Sequence, residues 1–400
     1  MHAVRGVHTL TFTEETEQGA QRQPSPEETE QGACTAMAAL PTLRTLVLDR
    51  ESCFGGRIAR ALAPALTHLT QLEELVLVWE NGNPAVFMTP LTLLTTLTRL
   101  HVSVAVGQTS AGELGSCLTC LSRLAALAVR SAGGDGAAEL VQHLGPLTAL
   151  TSLDLNKNGI YPVCAEKFAL GLRGLSQLQA LSVASVMHTP EASAELAPAL
   201  SQLTALTSLD LSRDKIDADA AAALAPALSG LSRLASLRLA GNKLGADAAA
   251  ALASPIALLT TLTFLVLEKH GVSADGAASL APALGRLSRL ANLSLDSFGV
   301  GLGAAGAAAL APALSRLTAL SCLRLSGNGF GDDGLQQLAP ALARLTGLET
   351  LFLGSNGALD AGKAALRTQL PDSVFGAIAW SAGSLSGALN LEQSSDSDYY

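Results

Sequence analysis

The chain has 400 residues and a net charge of −9, with only 15% charged residues against roughly 25% in an ordinary soluble domain. Aromatics are 4%, so the 48% apolar share is chiefly Leu and Ala, which fill a core by repetition rather than with large rings. An acidic pI of about 5.3 lacks the basic footprint that nucleic acid or an anionic membrane needs, so neither is expected as a partner.

Residues 1–20 hold no apolar run of the kind a secretory signal requires, which points to a cytoplasmic protein. Glu14–Ala20 and Glu27–Ala33 both read EETEQGA, and with few apolar residues around them residues 1–39 are expected to be a flexible acidic segment. Six scattered cysteines suit reduced thiols. Cys117 and Cys120 form one C-x-x-C pair without the second pair or histidines a zinc site needs, so no metal or other cofactor is expected.

From Leu40 onwards the frame L-x-x-L-x-x-L-x-L-x-x-N fits twelve times, starting at Leu40, Leu69, Leu94, Leu121, Leu147, Leu175, Leu203, Leu231, Leu259, Leu287, Leu317 and Leu345. Successive copies lie 25 to 30 residues apart, most often 28, and the four apolar positions are Leu or Val in every copy. Around Leu209 and Leu211 apolar and polar residues alternate, the period of a strand; the Ala/Leu run after Asp217 reads as a helix with Asp217 at its start. No single unit can bury its leucines alone, but a stack of them can.

The pattern resembles the leucine-rich repeat family over residues 40–370, and the longer unit is similar to the ribonuclease-inhibitor subtype. The resemblance implies an α/β solenoid: a right-handed horseshoe with parallel strands on the concave face, helices on the convex face, and recognition of a partner by the concave sheet. At the twelfth position the family's Asn ties adjacent turns together, but only Asn158, Asn242, Asn328 and Asn356 supply it here. Glu51, Glu80, Ala105, Ala132, Val186, Asp214, His270 and Phe298 stand elsewhere, so the first units are expected to be irregular.

The helices repeat the string LAPAL, with Pro64, Pro198, Pro226, Pro282, Pro312 and Pro340. An interior helix proline costs about 3 kcal/mol, so each helix is expected to open or restart at its proline. Ala248–Leu267 and Ser373–Leu391 are uncharged stretches of membrane-spanning length. The first falls inside the repeat register. The second has the position of a tail anchor, but four Ser and three Gly weaken its insertion. After Pro371, Phe375 and Trp380 are expected to cap the core, and residues 371–400 to form that cap and a disordered tail.

Three motifs look chemical. Gly301, Gly303 and Gly306 form a G-x-G-x-x-G, but strand, loop and helix recur throughout the frame and no ribose-binding acid follows. The stretch from Gly357 to Ala364 approaches a phosphate-binding loop, with Ala364 where Ser or Thr would ligate magnesium and Asp360 as an expected N-cap. The aspartates at 217, 219, 247, 275, 332 and 333 recur at helix starts, where they meet the helix dipole, and lack the bidentate Glu of a calcium loop. No catalytic residue is assigned.

Frame positions 6, 8 and 10 face away from the leucine core. Large or charged groups expected on that concave face are Trp79, just past its strand, and Arg99, His101, Arg130, Asp210, Arg238, Phe264, Glu268, Asp296, Arg324 and Phe352. Arg238, Phe264, Arg324 and Phe352 fall on neighbouring repeats and are expected to project as one patch without belonging to the core. The sequence thus reads as a non-catalytic, monomeric module that binds a protein partner. The alternatives are a GTPase activator, because Ran-GTPase-activating proteins share this repeat subtype, and the sensor arm of a larger receptor. The former carry a long acidic tail that this C-terminus, with Glu392, Asp396 and Asp398, does not match.

Overall fold

The computed structural model describes residues 35, 40, 42–48, 63–78, 85–103, 108–187, 189–268, 272–297 and 301–380, and the backbone of residues 9–12. The chain divides into two compact units, Met1–Lys243 and Leu244–Tyr400.

In the first unit the described strands are β1 (Thr9–Phe12), β2 (Thr45–Leu48), β3 (Glu74–Val78), β4 (Arg99–Ser103), β5 (Ala126–Arg130), β6 (Ser152–Asp154), β7 (Ala180–Ser182), β8 (Ser208–Asp210) and β9 (Ser236–Arg238). They pair in chain order, all parallel, and the seventh frame position stays in register across the sheet: Leu46, Leu75, Leu100, Leu127, Leu153, Leu181, Leu209 and Leu237 oppose one another in turn. Each of these leucines is at most 2% exposed. A slip by one residue would turn every one of them to solvent, so the frame itself enforces the pairing. In the second unit β10 (Phe264–Val266), β11 (Asn292–Ser294), β12 (Cys322–Arg324), β13 (Thr350–Phe352) and β14 (Ile378–Ala379) repeat the arrangement.

Within each unit helices alternate with the strands, and their buried stripe closes the core behind the sheet. Ala218–Gly230 buries Ala220, Ala221, Leu224, Ala227 and Leu228, and Asp217 caps it by accepting from the Ala220 N–H at 3.1 Å. At Ala274–Leu284 the cap is Ser273.

Four expectations are corrected. The segment 1–39 contains the strand Thr9–Phe12, which pairs with Thr45–Leu48; its other expected features lie outside the described residues. The LAPAL helices do not restart at their prolines: Pro226, Pro282, Pro312 and Pro340 all lie inside continuous helices. Pro198 does open a helix, Ala197–Leu200, as expected, and the start of the segment holding Pro64 lies outside the described residues. The reason is exposure. Those four prolines, and Ala222, Ala278, Ala308 and Gln336 four residues earlier, are all exposed, so water can take the carbonyl that proline leaves unbonded. At the C-terminus Val374, fully buried, closes the core, while Phe375 and Trp380 are half-buried beneath Arg367 and Lys363. Asp360 is the first residue of the helix Asp360–Gln369, and Leu359 holds the N-cap position. Ala248–Leu267 divides into helix and strand, as do residues 373–379, and among the described residues no helix is long and apolar enough to cross a membrane.

The loops behind the strands are tied by buried amides. Asn242 Nδ2 donates to the carbonyls of Leu211 and Leu239, both at 2.8 Å, and its Oδ1 accepts from the N–H groups of Asp214 and Ile216. Asn158, Asn328 and Asn356 make the same paired donations in their own turns. Asp214, counted in the sequence as a gap in this ladder, fills the acceptor half: its Oδ1 takes the N–H groups of Val186 and Met187 at 2.8 and 2.9 Å. Its Oδ2 is buried with no partner, and burial pushes this carboxyl well above the ordinary carboxylate range, with Asp210 adding to the push.

A carboxyl whose pKa is raised in the fold holds its proton more tightly folded than unfolded. Its penalty is therefore absent in acid and grows as pH rises from the ordinary carboxylate range through the raised value. Asp214→Asn supplies the missing donor. Urea unfolding should show the variant about 1–3 kcal/mol more stable than wild type at neutral pH, with the gap closing in acid.

Candidate functional site

Even-numbered frame positions emerge on the outer face of each sheet because the leucines of positions 7 and 9 point inward. In the first unit Arg99 on β4 is exposed and His101 is half-buried. Arg130 on β5 reaches across to Asp154 on β6, with NH2 to Oδ2 at 2.8 Å. The other oxygen of Asp154 accepts from the Asn156 N–H at 2.9 Å, and Asn156 Oδ1 accepts from Ser182 Oγ and the Ala184 N–H. Asp210 repeats the turn with the Ser212 N–H at 2.9 Å. Burial raises the Asp210 carboxyl above its usual value, opposed by the Ser212 hydrogen bonds and the charge of Arg238. Arg238 on β9 is half-buried. Trp79 lies outside the described residues. Asp154, Asn156 and Ser182 thus form a polar network whose side chains fix one another.

The second unit departs more from expectation. Arg324 and Phe352 do not project: they are 6% and 8% exposed. The Arg324 guanidinium lies 4.3 Å from the centroid of the Phe352 ring, and its Nε and NH2 bond Asp296 Oδ2 at 2.9 and 2.7 Å. Glu268 Oε1 stands 3.6 Å from the same Nε and accepts from Ser294 Oγ. Glu268 and Asp296 are likewise buried. The cause is cross-strand spacing: rows about 4.8 Å apart let a long side chain lie flat on its neighbour's ring and reach the next strand's carboxylate. Burial raises the Asp296 carboxyl, and Arg324 is the strongest force opposing that rise. Phe264, half-buried on β10, remains a partly accessible large group among the described residues of this sheet.

The chemical motifs resolve into packing. A Cβ on Gly301 would come within 2.2 Å of the Asn328 carbonyl oxygen, and Gly303 has φ +60, so this glycine run serves a close loop approach and a left-handed turn. At the Gly362 helix start, where a phosphate would lie, the Asp332 carboxylate already accepts the Leu359 N–H at 2.8 Å. Among the described residues no group of three His, Cys, Asp or Glu side chains could hold a metal ion.

No protein-family model and no curated protein sequence matches this chain. Solved structures do. An internalin from Listeria monocytogenes is similar at 21% identity and a TM-score of 0.47, over 77% of this chain and 81% of the internalin. The structure of a TLR13–ssRNA13 complex is similar at 18% identity and a TM-score of 0.39, over 82% of this chain and 42% of that one. Each unit of the protein is a leucine-rich-repeat α/β solenoid. That follows from its own parallel register and alternating helices.

The Glu268–Asp296–Arg324–Phe352 cluster is part of the structure of its sheet. Arg324→Ala strands two buried carboxylates, and chemical denaturation should show a loss of about 3–5 kcal/mol. An unchanged midpoint would mean the cluster contributes nothing to the fold.

Proposed function

We propose that the protein is a non-catalytic module that binds a protein partner through the outer face of its parallel sheets. The observation that supports this most is the division of labour on that face. Leucines at positions 7 and 9 build the core, while Arg99, Arg130, Asp210, Arg238 and Phe264 remain at least partly accessible on strands held in strict register. Arg and aromatic side chains on a rigid surface are the groups that carry most interface energy, and rigid strands pay little ordering entropy on binding. Glu268, Asp296, Arg324 and Phe352 then act as the floor that holds Phe264's sheet in shape rather than as first contacts.

Affinity capture with the full chain, compared across variants, tests this. Phe264→Ala and Arg238→Ala should each weaken retention of a captured protein, by about 2 kcal/mol or some thirtyfold for a true hot spot, without lowering the unfolding temperature. Val163→Ser, on the helix side and 89% exposed, should leave retention unchanged. The reverse pattern would exclude the sheet face. Should a small GTPase be captured, its hydrolysis rate with and without the protein decides whether the module also acts as an activator.

A further inference from the structure

We infer that the edge of the second unit between its helices and strands is a second interaction surface, shaped for a short acidic peptide segment of a partner protein. Arg286, Arg316 and Arg344 each immediately precede the first Leu of their repeat (Leu287, Leu317 and Leu345), and Arg289 lies just beyond Leu287. All four are exposed. Among the described residues no carboxylate pairs with any of them. Two acidic residues lie in the helix-to-strand connections of this edge, Glu349 just before β13 and Asp372 before β14, and Asp372 is paired with Arg367.

Two of the arginines, Arg316 and Arg344, lean on the repeat before them. Arg344 Nε donates to the Ser315 carbonyl at 3.3 Å, next to Arg316. A Cβ built on Gly285, next to Arg286, would meet Arg316 Cδ at 3.6 Å. The Ser315 bond anchors Arg344 through its Nε and leaves its terminal guanidinium nitrogens to an incoming group. Helix-dipole compensation does not require the row. The helices Ala218–Gly230 and Ala246–Leu258 carry Gly230 and Leu258 immediately before the first Leu of their repeats, where the others carry arginine, and have no basic residue in their last turn.

The guanidinium fork matches a carboxylate in bidentate fashion. Neighbouring repeats are separated by about 5 Å at the strands and 8–10 Å at helix axes, so the three-arginine row spans roughly 10–20 Å. That is the reach of about four to six extended residues, with acids at alternate positions facing the row. A short peptide suits the surface better than a nucleic acid, because the chain as a whole carries −9 and repels a long polyanion beyond this local basic strip.

The test is fluorescence anisotropy of the full chain with a labelled peptide of about six residues carrying Glu at alternate positions. Its Gln counterpart and a single-stranded oligonucleotide of equal charge serve as competing probes. The Glu peptide should bind, the Gln peptide should not, and affinity should fall as salt is raised. The combined Arg286→Ala, Arg316→Ala and Arg344→Ala variant should lose about tenfold or more while unfolding at the wild-type temperature. Should that variant unfold early, Arg289→Ala and Arg316→Lys carry the same comparison with smaller losses. Phe264→Ala should bind the peptide normally, which separates this surface from the sheet face. Equal binding of the Glu and Gln peptides, undiminished binding by the arginine variants, or preferential binding of the oligonucleotide would each overturn the proposal.

Discussion

The structure depends on satisfying backbone groups that the repeat buries. Every unit must leave its strand, cross behind the leucines and enter a helix, which carries peptide N–H and C=O groups into a dry interior. A buried polar group without a partner costs about 1–3 kcal/mol, and a stack of repeats multiplies that cost. Asn158, Asn242, Asn328 and Asn356 answer it with one side chain each, donating to two carbonyls and accepting, in three of the four cases, from the adjacent turn. The exception is Asn328, whose own Oδ1 is buried without a partner. Leucine burial supplies the driving force, but the amides decide that adjacent turns stack in one register.

That hierarchy explains how the same strands can serve stability and, on the proposed reading, recognition. Positions 7 and 9 belong to the core and positions 6, 8 and 10 to the surface, yet the boundary is not sharp. Where neighbouring strands carry small residues, as at Ser182 and Ala184, side chains on the outer face stay partly open. Where they carry long or aromatic groups, as at Arg324 and Phe352, the residues cover one another and become structural. A face built this way has a rigid floor and few mobile side chains.

The leucine frame was legible because its spacing is strict, and the helices could be placed between its copies from Ala content and Asp217 alone. Proline placement was harder. Pro226 looks costly in sequence, and the cost falls only because it and Ala222 share the solvent side of their helix. Asp214 looked like a lost ladder residue, since a carboxylate can accept as Asn does but cannot donate unless protonated. The burial of Arg324 and Phe352 was hidden because it arises from three strands meeting, a property of no single repeat. The strand Thr9–Phe12 is four residues in a polar stretch, too short for periodicity to reveal.

The most direct measurement is the equilibrium unfolding free energy of Asn242→Leu, which keeps the side-chain volume and removes all of its hydrogen bonds. The account predicts a loss of about 3 kcal/mol or more, because the Leu211 and Leu239 carbonyls and the Asp214 and Ile216 N–H groups are left buried and unpaired. A variant as stable as wild type would contradict it, and would mean that leucine packing alone sets the stack.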